Sequence, residues 1–313
     1  MKPVPHAARS ACEGKDLAAG VDLSASRTKL ADDLINGEGL LWRITKAGLA
    51  PSYLFGTIHS TQPEPLEIAH KAADFIDGAS AVATELGEVD DLAKANLAAK
   101  MLSLALDRDE DTFAGKFDER DVPRIEALAA EIGYPAALAH HFRLWFFAVA
   151  LSLPRCERIQ PADEKGEVDN FLAVTAREKG KKVIGLETAD EQIGVIASID
   201  DALATELLRE IADSPTISDD AFSTMLRLYG EHRPADILAV LDAQTAMTEE
   251  QAKIERAFFD RLLSGRNALM AERAEPLLSE GGVFIAVGAL HLPGKKGLIE
   301  LLRERGYAVE KVW

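Results

Sequence analysis

Apolar runs of strand length alternate along the chain with apolar positions at helical spacing. "GLLWRIT" (39–45) and "SYLFGTIH" (52–59) read as two strands around a turn at "KAGLAPS". Over 64–79, Leu66, Ala69, Ala73 and Ile76 fall at helical intervals, and "SAVATEL" (80–86) is a strand ending on Glu85. Residues 52–86 therefore predict a strand–helix–strand unit, a parallel pair with a right-handed crossover. Helical periodicity continues through 90–106, 119–132, 135–153 and 167–180. "KKVIGLET" (181–188) is another strand, closing on Glu187. A long helical stretch over 189–279 breaks near Pro215 and Pro234. A strand (282–291), a helix (294–306) and a closing strand (307–313) then repeat the plan of 52–86.

The expected fold is α/β. Two related strand–helix–strand halves form a mainly parallel sheet core, with large helical insertions at about 90–180 and 189–279. Each half alone has too few strands to close a core. Residues 38–313 are therefore read as one domain, and the polar residues 1–37 as a surface-wrapping segment.

Composition narrows the classes of partner. Hydrophobic residues make up 47% of the 313, enough for a sizeable core. The formal net charge is −17, which argues against nucleic acid and anionic membranes, since phosphates need clustered Lys and Arg. The longest apolar run, "LWFFAVALSL" (144–153), is too short to span a bilayer and reads as a buried helix. The opening residues lack the apolar stretch of an export signal. Cys12 and Cys156 are the two cysteines: ordinary buried thiols in a reducing compartment, able to pair across a long loop in an oxidising one.

Four strands end on a residue of catalytic type: His59, Glu85, Glu187 and His291. In parallel sheets, ligands bind beyond the carboxyl ends of the strands, so adjacent parallel strands would bring the four onto one rim. Two imidazoles with one or two carboxylates suit a divalent metal with open positions for water and substrate. The same set without metal suits general acid–base work. Gly56 and Gly288, each three residues before a histidine, let the backbone turn or approach closely. Singly, each residue has a plainer reading: a strand-end hydrogen bond for a histidine, an ion pair for Glu85, a structural hydrogen bond for Glu187. His140 and His141 read as surface or packing residues, and His6, His70 and His232 have no partner motif. Phe142, Trp145, Phe146 and Phe147 read as core.

"FGTIHS", "AVATEL", "VDNFLAVTAREKGKKVIGLETADEQ" and "GGVFIAVGALHLPGKKGLIELLRERGYAVEKVW", in this order, resemble the TraB/PrgY/GumN family. The wider group takes in Tiki metalloproteases, erythromycin-esterase-like hydrolases and ChaN-like haem-binding lipoproteins. The resemblance implies a divalent-metal-dependent hydrolase acting on peptide bonds. His59, Glu85 and His291 would gather Mn²⁺ or Co²⁺, with Zn²⁺ equally suited to the ligands, and Gly56 and Gly288 complete the two Gly-x-x-His motifs. It implies that Arg266, in "GRNALM" with Asn267, steadies developing charge, against the plainer reading of Arg266 as a solvated helix face. Glu187 and Gln192 would shape the rim. "CEGKDL" (12–17) resembles the stretch that follows the export signal in GumN-type members, which implies a Cys12–Cys156 disulfide and a periplasmic or secreted protein whose signal is absent from this sequence. A cytoplasmic location is the alternative. The alternative functions are a metal-free esterase-type hydrolase and a non-enzymatic protein that captures a peptide or haem.

Overall fold

A computed structural model describes residues 12–87, 91–107, 109–158, 166–244 and 248–313. His6 lies outside the described residues. Six strands form one sheet: β1 (Leu41–Thr45), β2 (Ser52–Thr57), β3 (Ala81–Leu86), β4 (Lys182–Glu187), β5 (Val283–Gly288) and β6 (Ala308–Lys311). Their order is β4-β3-β5-β2-β1-β6. The block β4-β3-β5-β2 is parallel throughout, and β1 pairs antiparallel with both β2 and β6. The fold is thus α/β with a mostly parallel sheet, as expected.

The expected strand pairings need correction. β2 and β3 do not pair, because β5 lies between them, and β5 and β6 do not pair, because β2 and β1 lie between them. The reason is hydrophobic. "VFIAV" is apolar at every position, so it suits a strand covered on both faces, and Val283 to Val287 are all buried. Phe284 and Ala286 pack on one face, with Phe55 and Val82 and with Ala69 and Leu172 from helices Pro63–Ala73 and Val168–Glu178. Val283, Ile285 and Val287 pack on the other, with Leu54 and Ala83 and with helices Arg266–Glu280 and Leu298–Glu304. Side chains alternate along a strand, so a single sheet holds two apolar layers apart.

The helical insertions carry their own apolar core, in which Phe142, Trp145, Phe146 and Phe147 are buried against Leu203, Leu208 and Ile211. The expected helix 135–153 is two helices, Ala136–Ala139 and Leu144–Ser152. His140 caps the first and bonds Asp111 and Glu126 through its two ring nitrogens. The expected helix 294–306 starts only at Leu298, because a 3₁₀ turn (Ala289–His291) and tight turns follow β5. The N-terminal stretch lies on helix Ile217–Gly230, where the Lys15 and Leu17 amides donate to Asp220 and Thr224.

Candidate functional site

β2 and β5 end in register, with Thr57 opposite Gly288, so His59 and His291 leave the same rim. β3 and β4 end beside them, with Leu86 opposite Glu187. The four residues singled out in the sequence therefore share one edge of the sheet.

The glycines set the close approach. A side chain on Gly56 would lie 3.0 Å from the Ala289 backbone, so the bare glycine lets the turn carrying His291 settle against β2. Gly288 makes room for Glu85, which would lie 3.1 Å from an added Cβ, and its amide donates to Glu85 Oε1 at 2.7 Å.

Glu85 is buried and fully engaged. Its Oε2 accepts from Arg266 Nη2 at 2.7 Å and from Gln192 Nε2 at 2.9 Å. Arg266 also reaches Glu187, through Nε at 2.8 Å and Nη2 at 2.6 Å, the forked geometry that planar guanidinium favours. The Glu187 side chain is 0% exposed and that of Arg266 is 12% exposed. Arg266 is therefore no solvated face; most of its donors go to Glu85, Glu187 and the Leu262 carbonyl. It sits where a π-helical turn (Asp260–Gly265) runs into helix Arg266–Glu280, which aims Arg266 and Asn267 at the strand ends. Gln192 is placed by a capping box: the Thr188 hydroxyl accepts from the Glu191 amide, and Glu191 accepts from the Thr188 amide.

His291 is buried. Asn267 Nδ2 donates to the Lys296 carbonyl, which leaves Oδ1 to accept from His291 Nδ1 at 2.6 Å. That fixes the tautomer: Nδ1 carries the proton, and Nε2 keeps its lone pair, 3.7 Å from Glu85 Oε1. Burial, with help from Arg266 and His59, pushes the His291 pKa down to about 4, although Glu85 opposes the shift. Burial would raise the Glu85 carboxyl, but the histidines, Arg266 and the Gly288 amide outweigh it and hold it near 2. Near neutral pH His291 is uncharged, so Arg266, His59 and Gly288 do that work.

His59 lies in the opposite environment. Its side chain is 64% exposed, and its Nδ1 is 3.1 Å from Asp169 Oδ2 and 3.9 Å from Glu167 Oε2. Asp169 is fixed in turn by the Thr57 hydroxyl at 2.6 Å. The Asp169 charge, aided by Glu85 and Glu167, raises the His59 pKa against the effect of desolvation. Water screens part of that attraction but leaves its sign. The loop after His59 is clamped by Glu157, which accepts from Ser60 Oγ, from the Thr61 amide and from Thr61 Oγ1. Glu157 stands beside Cys156, which forms a disulfide with Cys12. Sequence reasoning misses Asp169 and Glu157. Asp169 reads as an ordinary first-turn acid of a helix, and only the strand "VDNF" packs beside names its partner.

Among the described residues, no three His, Cys, Asp or Glu side chains are grouped to hold a metal ion. His291 Nε2 and Glu85 Oε1 fit as two donors, while His59 is turned to Asp169. Two cavities lie elsewhere, one beside helix Asp201–Asp213 and one between Leu30, Phe259 and Pro293, and none of the four rim residues lines either. No helix of the described residues is long and apolar enough to cross a membrane.

The chain is similar to the uncharacterized protein YbaP of Shigella flexneri, at 24% identity over 83% of this chain and 90% of that protein. It is likewise similar to the uncharacterized protein YbaP of Escherichia coli K12, at 25% identity over 60% of this chain and 67% of that protein. No solved structure matches it. Residues 40–311, which carry all six strands of the sheet, match the TraB/PrgY/gumN family, and the chain belongs to that family.

Proposed function

We propose that this rim is a hydrolytic site acting on a carbonyl substrate, a peptide or an ester, and that its two histidines hold different charge states, one neutral and one cationic. The observation that carries the reading is the contrast between His59 and His291. Environments that push two titratable groups apart assign acid and base roles. His291, neutral and with Nε2 unprotonated beside Glu85, takes a proton from water. His59, held as a cation by Asp169 and open to solvent, meets the carbonyl oxygen and steadies the negative charge that develops there. Arg266 acts through Glu85 and Glu187, whose carboxylates it holds in place.

A second reading is a divalent-metal hydrolase. It is supported by the neutral imidazole lone pair of His291 lying close to Glu85 Oε1, since metal ligands must be deprotonated. A cation there would lower the pKa of bound water. The Cys12–Cys156 disulfide supports a periplasmic or secreted location for either chemistry.

The test is hydrolysis of chromogenic ester and peptide libraries by chelator-stripped protein, beside His59→Ala and His291→Ala. Metal-independent turnover lost in both variants supports the first reading. Turnover restored only by Mn²⁺, Co²⁺ or Zn²⁺, with stoichiometric calorimetric binding lost in His291→Ala, replaces it with the second. Turnover unchanged in both variants would remove the rim from the chemistry altogether.

A further inference from the structure

The His59 ring stands open to solvent, yet its place is set from behind. Asp169, the charge that acts most on it, lies in the first turn of helix Val168–Glu178. One residue earlier, the Val168 amide donates to the Ser60 carbonyl at 3.2 Å. Ser60, next to His59 and fully buried, therefore sets where the imidazole falls relative to Asp169. Glu157 holds Ser60 and Thr61 from the other side. Its Oε1 accepts from Ser60 Oγ at 2.9 Å and from the Thr61 amide at 3.0 Å, and its Oε2 accepts from Thr61 Oγ1 at 2.8 Å. The charges that act most on His59 are those of Asp169, Glu85 and Glu167, so Glu157 works by holding the loop and not by its charge.

The helix that carries Glu157, Arg155–Arg158, is one turn long, far too short to persist by itself. It is fastened to helix Ile217–Gly230, where Asp219 accepts from the Arg155 amide at 2.7 Å. The N-terminal stretch is seated on the same helix, where Asp220 accepts from the Lys15 amide at 2.7 Å. The Cys12–Cys156 bond joins these two seats. The disulfide thus meets the His59 loop twice: through Glu157 at Ser60 and Thr61, and through the Cys12 amide, which donates to Gln62 Oε1 at 3.4 Å.

We propose that Glu157 is the positioning residue of His59 and that the Cys12–Cys156 bond latches it, so that His59 is held over Asp169 only in the oxidised chain. In the latching step the two thiols give up two electrons and two protons to a protein disulfide, which is reduced to a dithiol. A chain kept reduced, as in a thiol-rich compartment, has the strands of the rim without the placed imidazole. The consequence for turnover rests on the hydrolytic reading of the rim; the placement of His59 does not.

The test uses the whole chain, oxidised and reduced, beside Glu157→Ala and Glu157→Gln, each checked for native circular dichroism. The His59 ring proton, assigned by its loss in His59→Ala, is titrated by NMR, and ester and peptide turnover is measured in parallel. In Glu157→Ala the His59 pKa should fall toward its ordinary value although Asp169 is intact, and kcat should drop about tenfold or more with KM little changed. Glu157→Gln should restore most of both, because its amide oxygen still accepts from Ser60 and the Thr61 amide while Thr61 Oγ1 accepts from its nitrogen. Reduction should reproduce Glu157→Ala in the wild type and add little to it in that variant, the non-additivity of two changes that act through one contact. A wild-type His59 titration in Glu157→Ala, a Glu157→Gln as impaired as Glu157→Ala, or a full further shift on reducing Glu157→Ala would each overturn the proposal. The expected titrations without turnover in any form would remove the hydrolytic reading and leave the positioning role standing.

Discussion

At the residue scale, the two Gly-x-x-His motifs are alike in sequence and opposite in electrostatics. The difference lies in what each imidazole faces: a buried amide oxygen for His291, a half-buried carboxylate for His59, whose own ring stands open to solvent. Asp169→Asn should return the His59 pKa toward its ordinary value, read by the NMR titration of its ring proton; an unchanged titration would remove Asp169 as the cause. The sign for stability follows. A raised folded pKa means the His59–Asp169 attraction is fully present below about pH 6.5 and fades as pH climbs through the folded value. His291 behaves the other way. Its folded pKa near 4 lies below the unfolded value, so the unfolded chain binds the extra proton and stability falls between about pH 6.5 and 4, by on the order of 3 kcal/mol. Glu85, held near 2, adds a loss that begins near its unfolded pKa and continues below pH 4. Urea midpoints measured across this range should show the slope in the wild type and a flatter one in His291→Asn. His59, Glu85, Glu187 and His291 are legible in the sequence because each ends a strand-like run. Asp169, Glu157 and the Asn267–His291 bond are not, because each joins residues remote in sequence: 112 positions separate Thr57 from Asp169, and 97 separate Ser60 from Glu157.

At the scale of elements, the sheet was readable and its order was not. Six apolar runs announce six strands, but only the uninterrupted apolarity of 283–287 hints that β5 belongs in the middle. The strand ends are shorter than the apolar pattern suggests. β2 stops at Thr57 and β5 at Gly288, because the backbone must turn for the two histidines to leave the sheet. Gly56 is the contact that allows this. Gly56→Ala would press a methyl group against the Ala289 backbone 3.0 Å away, and overpacking of this kind costs about 1–3 kcal/mol. Chemical denaturation of the variant checks that figure, and amide shifts should centre on 289–292. The helix breaks around His140–Arg143 and before Leu298 come from turn geometry and local hydrogen bonds, which a count of apolar spacing does not register.

At the scale of the whole molecule, the disulfide ties the N-terminal stretch to the loop that follows His59. Cys12 and Cys156 lie 144 positions apart, and the Cys12 amide faces Gln62 Oε1 at 3.4 Å. Reduction, or Cys12→Ser with Cys156→Ser, should cost about 2–4 kcal/mol of stability. Hydrogen exchange should rise first at Ser60–Gln62, where Glu157 loses its anchor, while the amides of β2 stay protected; equal loosening of β2 would count against the clamp. The placement of β5 also has a consequence for the time course of synthesis. β2 and β3 emerge early and stand one strand apart, and the strand that fills the slot follows roughly 200 residues later, about 10–40 s at ordinary translation rates. Until then two apolar strand edges lie open and no rim exists, so a nascent or threading chain holds neither sheet nor site, and both arrive together with its last thirty or so residues.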